Sequence, residues 1–152
     1  EETPPYARSG SFASMDTPGA YENRATEAFY YVTPPEKEWD AKHKEEHLRL
    51  YNKPVMDIIT VHEVFPGHYT QFIYANQFPT RTRKLYACSS NAEGWAHYAE
   101  QMMVDEGFGG GDQIASSGID GVRQRKGHGL ACRGRLAAVL ARDYSGDCRV
   151  AA

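Results

Sequence analysis

The stretch VHEVFPGHYTQF, Val61 to Phe72, holds the residues of this chain best suited to chemistry. His62 and Glu63 open it, and His68 follows six positions after the first histidine. Imidazoles and carboxylates are what a catalytic zinc uses: three protein groups hold the ion and a fourth position is kept for water. The ion brings that water's pKa down to about 7, and a nearby carboxylate then accepts its proton as it attacks a carbonyl. In the usual H-E-x-x-H arrangement the two histidines lie one helical turn apart on one face. Here the second arrives two residues late. At about 100° per residue, His68 falls roughly 240° round a regular helix from His62 and about 9 Å along it, too far to share an ion. Pro66 and Gly67 lie between them and change the geometry. Pro66 has no N–H to give the carbonyl of His62 and its ring crowds that turn, so the helix must kink, bulge or restart. Two residues looped out as a bulge would bring His68 back near the place that the fourth residue normally fills. The plain alternative is a buried, hydrogen-bonded histidine beside a helix-breaking Pro-Gly.

A second group lies further on. Glu93, His97 and Glu100 recur at i, i+4 and i+7 and so project from one helix face. A carboxylate some 25 residues after His68 is where a third zinc ligand could return. Against this, Ser90 and Glu93 have the spacing of a capping box, in which the glutamate would serve the helix start instead. His97 and Glu100 could equally form an ordinary polar face. Trp95, Tyr98 and Met102 read most simply as core residues, although the Tyr98 phenol could also meet a developing oxyanion. His43 and His47 in HKEEH have ideal i, i+4 spacing, yet charges surround them on every face, which marks a solvated helix surface.

The elements that must carry these groups are mainly helical. EKEWDAKHKEEHLRLY, from Glu36, reads as a charged helix ending near Asn52. Pro54 suits the first turn of a second helix, capped by Asn52 or Lys53, that runs through VMDIITVHEVF. A third starts at Ser90 and continues through EGWAHYAEQMMVDEGF. Upstream, TPPY, SMDTPGAYEN and VTPPE are turn-rich, and EAFYYV, Glu27 to Val32, is β-branched and aromatic enough for a short strand. That strand is expected to lie along the cleft and pair with an extended substrate.

At 152 residues and 41% hydrophobic, the chain suits one domain with a real core. A formal charge of -3 argues against a nucleic-acid-binding surface, and no apolar run is long enough to span a bilayer. Composition breaks near Gly109. Residues 1–108 hold 17 of the 18 aromatics and 16 acidic against 10 basic residues, whereas residues 109–152 hold 4 acidic against 7 basic. The Gly- and Arg-rich tail is expected to be weakly structured apart from a short helix at Arg135 to Arg142. Cys88, Cys132 and Cys148 show no pairing pattern and are expected to be free thiols. The chain opens on EETPPYARSG with no initiator Met and no signal peptide, as expected of a piece lacking its targeting region. Cytoplasmic and exported locations both stay open.

HEVFPGHYTQF together with AEGWAHYAEQ resembles the paired signature of a large bacterial family catalogued as domain of unknown function 885. The likeness extends to TPPYARSGSFASMDTPG, EAFYYVTPPE and LRLYNKPVMDIITV, so it covers about residues 1–108. Members are generally regarded as predicted zinc metallopeptidases, distantly similar to the gluzincins. The resemblance implies a mainly α, zincin-like fold with a short β segment near the N-terminus. It implies Zn2+ held by His62, His68 and Glu93, with Glu63 as general base. Supporting roles would fall to Glu100, orienting a ligand, and to Tyr98 or His97 in the transition state. The expected activity is hydrolysis of a peptide or small amide. A zinc amidase or esterase would need the same groups, and a helical module without metal is the alternative from another class. Family members run to several hundred residues, so this chain resembles a central piece, and its tail after GGGD departs from the family's pattern.

Overall fold

The computed structural model describes residues 1–110. It is mainly helical, with a two-stranded sheet near the N-terminus. β1 (Ala13–Asp16) and β2 (Phe29–Val32) pair antiparallel, Ala13 opposite Val32 and Asp16 opposite Phe29. β2 is the expected strand, shortened by two residues at its start. β1 falls in a stretch that reads as loop; it is a strand because β2 offers it a ladder, and pairing context outweighs the local signals of Ser, Asp and Pro. The other side of β2 is occupied too: Val32 donates its N–H to the Glu1 carbonyl at 2.9 Å and accepts from the Thr3 N–H at 3.0 Å. A substrate therefore cannot pair along Val32 as the sequence suggested. The sheet ends on β1, which rests against the second helix.

Helix α1 (Ala41–Leu50) starts five residues later than expected, because Asp40 caps it, its carboxylate accepting from the His43 N–H at 2.7 Å. His43 stacks on Trp39 with ring centroids 4.0 Å apart, and His47 lies against Phe12 and Tyr51. Aromatic packing accounts for this pair. Replacing both histidines with Ala should leave any zinc uptake by the purified protein unchanged, measured by elemental analysis.

Helix α2 (Lys53–Glu63) is capped by Asn52, whose side chain accepts from the Val55 N–H at 3.2 Å, and carries Pro54 in its first turn. Helices α3 (His68–Gln77) and α4 (Arg81–Leu85) follow, then α5 (Ser89–Asp105). α5 stops where expected, Gly107 taking a positive φ of 87° just beyond it. The core is the contact between α2 and α5: Ile58 and Val61 on one side, Ala92, Ala96 and Ala99 on the other, all buried. Alanines at i, i+4 and i+7 let the two backbones approach closely, and the neighbouring stripe of Glu93, His97 and Glu100 is carried toward α2 with them.

Among the described residues, no helix is long and apolar enough to cross a membrane. Cys88 is a free, exposed thiol. The expectations for the tail beyond residue 110, including the helix at Arg135 to Arg142 and the thiols of Cys132 and Cys148, lie outside the described residues.

Candidate metal centre

The chain between His62 and His68 leaves the helix altogether. α2 ends at Glu63, Val64 has φ -104° and ψ -97°, the Phe65-Pro66 peptide is cis, and α3 begins at His68 itself. Of the kink, bulge or restart that Pro66 demands, the chain takes the restart. Pro66 has no N–H to continue α2, and Gly67 instead donates its own N–H to the Val61 carbonyl at 3.0 Å. Gly67 is required here by close approach and not by its dihedrals. A Cβ on it would overlap the backbone carbonyls of His62 and Val61.

This turn brings the two imidazoles face to edge, ring centroids 4.7 Å apart and planes at 89°. Glu93, reaching over from α5, places one carboxylate oxygen 3.3 Å from His62 Nε2 and the other 3.6 Å from His68 Nε2. The capping box is not formed: the N-cap position falls on Cys88, two residues before Ser90, and no side chain caps α5. Glu93 is committed across the interhelical gap.

His62 Nδ1 and His97 Nδ1 both meet Glu100 Oε1, at 2.6 and 2.9 Å. Glu100 is buried and accepts from two imidazoles at once. Burial works to lower the pKa of His62, but the hydrogen bond and charge of Glu100, aided by Glu63 and Glu93, carry it above the ordinary value. His68 is pushed down by burial and by the charge of His62, which Glu93 and the Gln71 side chain only partly offset. Glu63 is pushed up by burial and by the charge of Glu93, against the opposing effects of His62 and a hydrogen bond from the Met15 N–H of β1. A half-buried carboxylate held above its ordinary pKa is a stronger base than one in water.

Two donor groups fit a cation here: His62, His68 and Glu93, and, sharing His62, His62 with His97 and Glu100. The first suits zinc better. His62 Nε2 lies 3.3 Å from one Glu93 oxygen and His68 Nε2 3.6 Å from the other, and one donor atom from each residue lies within 4.8 Å of the others, close enough to be gathered around one ion with bonds of about 2.0 to 2.2 Å. With Nδ1 of His62 hydrogen-bonded to Glu100, its Nε2 is free to be the donor, the arrangement by which carboxylates orient metal-binding histidines. Nδ1 of His68 and Oε1 of Gln71, one turn along α3, are both buried. That pairs a donor with an acceptor beside the second ligand. Glu93 is exposed, so the group opens to solvent on its side as a catalytic site must. A cavity of about 400 Å³ between α3, α4 and α5 is lined by none of these ligands.

Glu100→Gln should leave the fold intact and weaken zinc binding by about 10- to 100-fold, the usual effect of losing such a partner, read by competition with a chromophoric chelator.

Of the residues singled out from sequence, His62, Glu63, His68, Glu93, His97 and Glu100 converge. Tyr98 does not join them: at about 100° per residue it lies some 140° round α5 from Glu93, its ring 5.9 Å from that of Trp95. Two groups were missed. The Met15 N–H is backbone and leaves no trace in composition. Trp95, taken for core, donates its indole N–H to the carbonyls of Pro66 at 2.8 Å and Gly67 at 3.2 Å; its place in the EGW triplet beside Glu93 was the available signal.

No curated protein matches the chain. A solved structure described as "a putative lipoprotein of unknown function" from Shewanella oneidensis is similar, with 38% identity and a TM-score of 0.57 over 72% of this chain. The chain spans 18% of that protein's length. The model of a family of bacterial proteins of unknown function, DUF885, matches residues 1–119, past the composition break at Gly109. With more than half of its length matched, the chain belongs to the DUF885 family of bacterial proteins.

Proposed function

We propose that this chain carries the zinc site of a gluzincin-like hydrolase that cleaves peptide bonds. The observation that carries the reading is the convergence of donor atoms of His62, His68 and Glu93 to within 4.8 Å of one another, with Glu63 next in the chain to a ligand. Zinc bound by these three would polarise a carbonyl and acidify a water molecule. The residues do the rest. Glu63, its carboxyl held by the Met15 N–H and raised by burial, accepts the proton of the attacking water and passes it to the departing amine. Glu100 fixes the tautomer of His62, and His97, half exposed and tied to the same carboxylate, stands where it can donate from Nε2 toward solvent or substrate. An extended peptide laid beside β1 would pass over Glu63, since that strand is the one resting on α2.

The test is hydrolysis of a peptide library and of simple esters by protein stripped with a chelator and then titrated with zinc. Peptide cleavage that returns at one equivalent supports the reading. Ester cleavage alone would move the assignment to an esterase, and no cleavage by zinc-loaded protein would contradict a hydrolase in this chain.

A further inference from the structure

We propose that Trp95 is a positioning residue of the metal centre, its indole N–H setting the turn that brings His68 to His62 and Glu93. The proposal rests on the metal reading above and adds a residue to it.

The turn at Val64 to Gly67 has to hold its shape without helical hydrogen bonds, because Pro66 interrupts them. Two bonds from outside do so. From α2, the Val61 carbonyl takes the Gly67 N–H at 3.0 Å. From α5, the Trp95 N–H points between the Pro66 and Gly67 carbonyls, the closer at 2.8 Å. The Gly67 carbonyl also accepts from the Gln71 N–H at 3.1 Å, so it already has a place in the first turn of α3; Pro66 is the carbonyl that depends on the indole. Trp95 lies two residues after Glu93 on the same helix. One hydrogen bond therefore ties the segment that delivers His68 to the segment that delivers Glu93. Filling the core would need only a large apolar ring. Reaching these carbonyls needs a donor at the ring's edge, which Phe lacks.

The experiment replaces Trp95 with benzothienylalanine, whose sulfur takes the place of the N–H at nearly the same shape, and separately with Phe. Three readouts are taken on the full 152-residue chain: zinc affinity by chelator competition, the visible spectrum of the cobalt-substituted protein, and hydrogen exchange of the Gly67 amide in metal-free protein. We expect zinc affinity to fall by about 10-fold or more in both variants, as for other groups that orient ligands. The cobalt bands should shift and Gly67 should exchange faster. If wild-type protein binds zinc and the benzothienyl variant matches it in affinity and cobalt spectrum, Trp95 is only a core residue and the proposal is overturned. If wild-type protein takes up no zinc, the metal reading fails, and the proposal with it.

Discussion

Glu63→Gln should leave zinc content at the wild-type level while lowering peptide hydrolysis by about 100- to 10,000-fold, the usual range for a lost general base. The two measurements separate because Glu63 is not among the three groups that converge on the cation position. Glutamine keeps the shape and can still accept from the Met15 N–H, so β1 stays where it is. The metal-free variant should melt no lower than wild type. Burial raises the Glu63 pKa, which means the folded protein disfavours its charged form, and the amide removes that charge. Thermal unfolding, elemental analysis and steady-state kinetics on one preparation decide the matter. A variant with wild-type activity would remove Glu63 from the mechanism.

The second large effect is on folding. Gly67→Ala forces a Cβ into the space held by the Val61 and His62 carbonyls, and both belong to the last turn of α2. Backbone cannot swing aside as a flexible side chain can, so either the last turn of α2 or the start of α3 must move. Overpacking in well-packed interiors costs about 1 to 3 kcal/mol and occasionally more, and a clash with two backbone carbonyls belongs at the upper end. We expect loss of about 3 kcal/mol in chemical denaturation, together with loss of zinc, since displacing α3 takes His68 from His62. A Gly67→Ala protein as stable as wild type and still binding zinc would show that the close approach is not needed.

What the sequence made legible follows from the range of the interactions concerned. Asn52 as a cap, Pro54 in a first turn and Gly107 as a stop are local bonds and dihedrals, and each is present. Pro66-Gly67 announced that a continuous helix was impossible, but the choice between a bulge and a restart depends on the Gly67 N–H finding the Val61 carbonyl. The Ser90 and Glu93 spacing pointed to a capping box because nothing local reveals that two imidazoles wait across the gap. Glu100 could be placed on the right helix face from its period; its burial between His62 and His97 is a product of the alanine stripe that draws α5 onto α2. β1 was invisible for the same reason as the Met15 N–H. Strand pairing and backbone donors are set by partners far along the chain.

The central claim is that His62, His68 and Glu93 bind one zinc ion. Zinc-edge X-ray absorption on the purified protein, with His68→Ala as the comparison, addresses it most directly. The account predicts one zinc per chain, bound only by nitrogen and oxygen at about 2.0 to 2.2 Å with scattering from two imidazoles, and loss of that signal in His68→Ala. A metal-free protein after zinc loading, or a zinc environment identical in the wild type and His68→Ala, would contradict it.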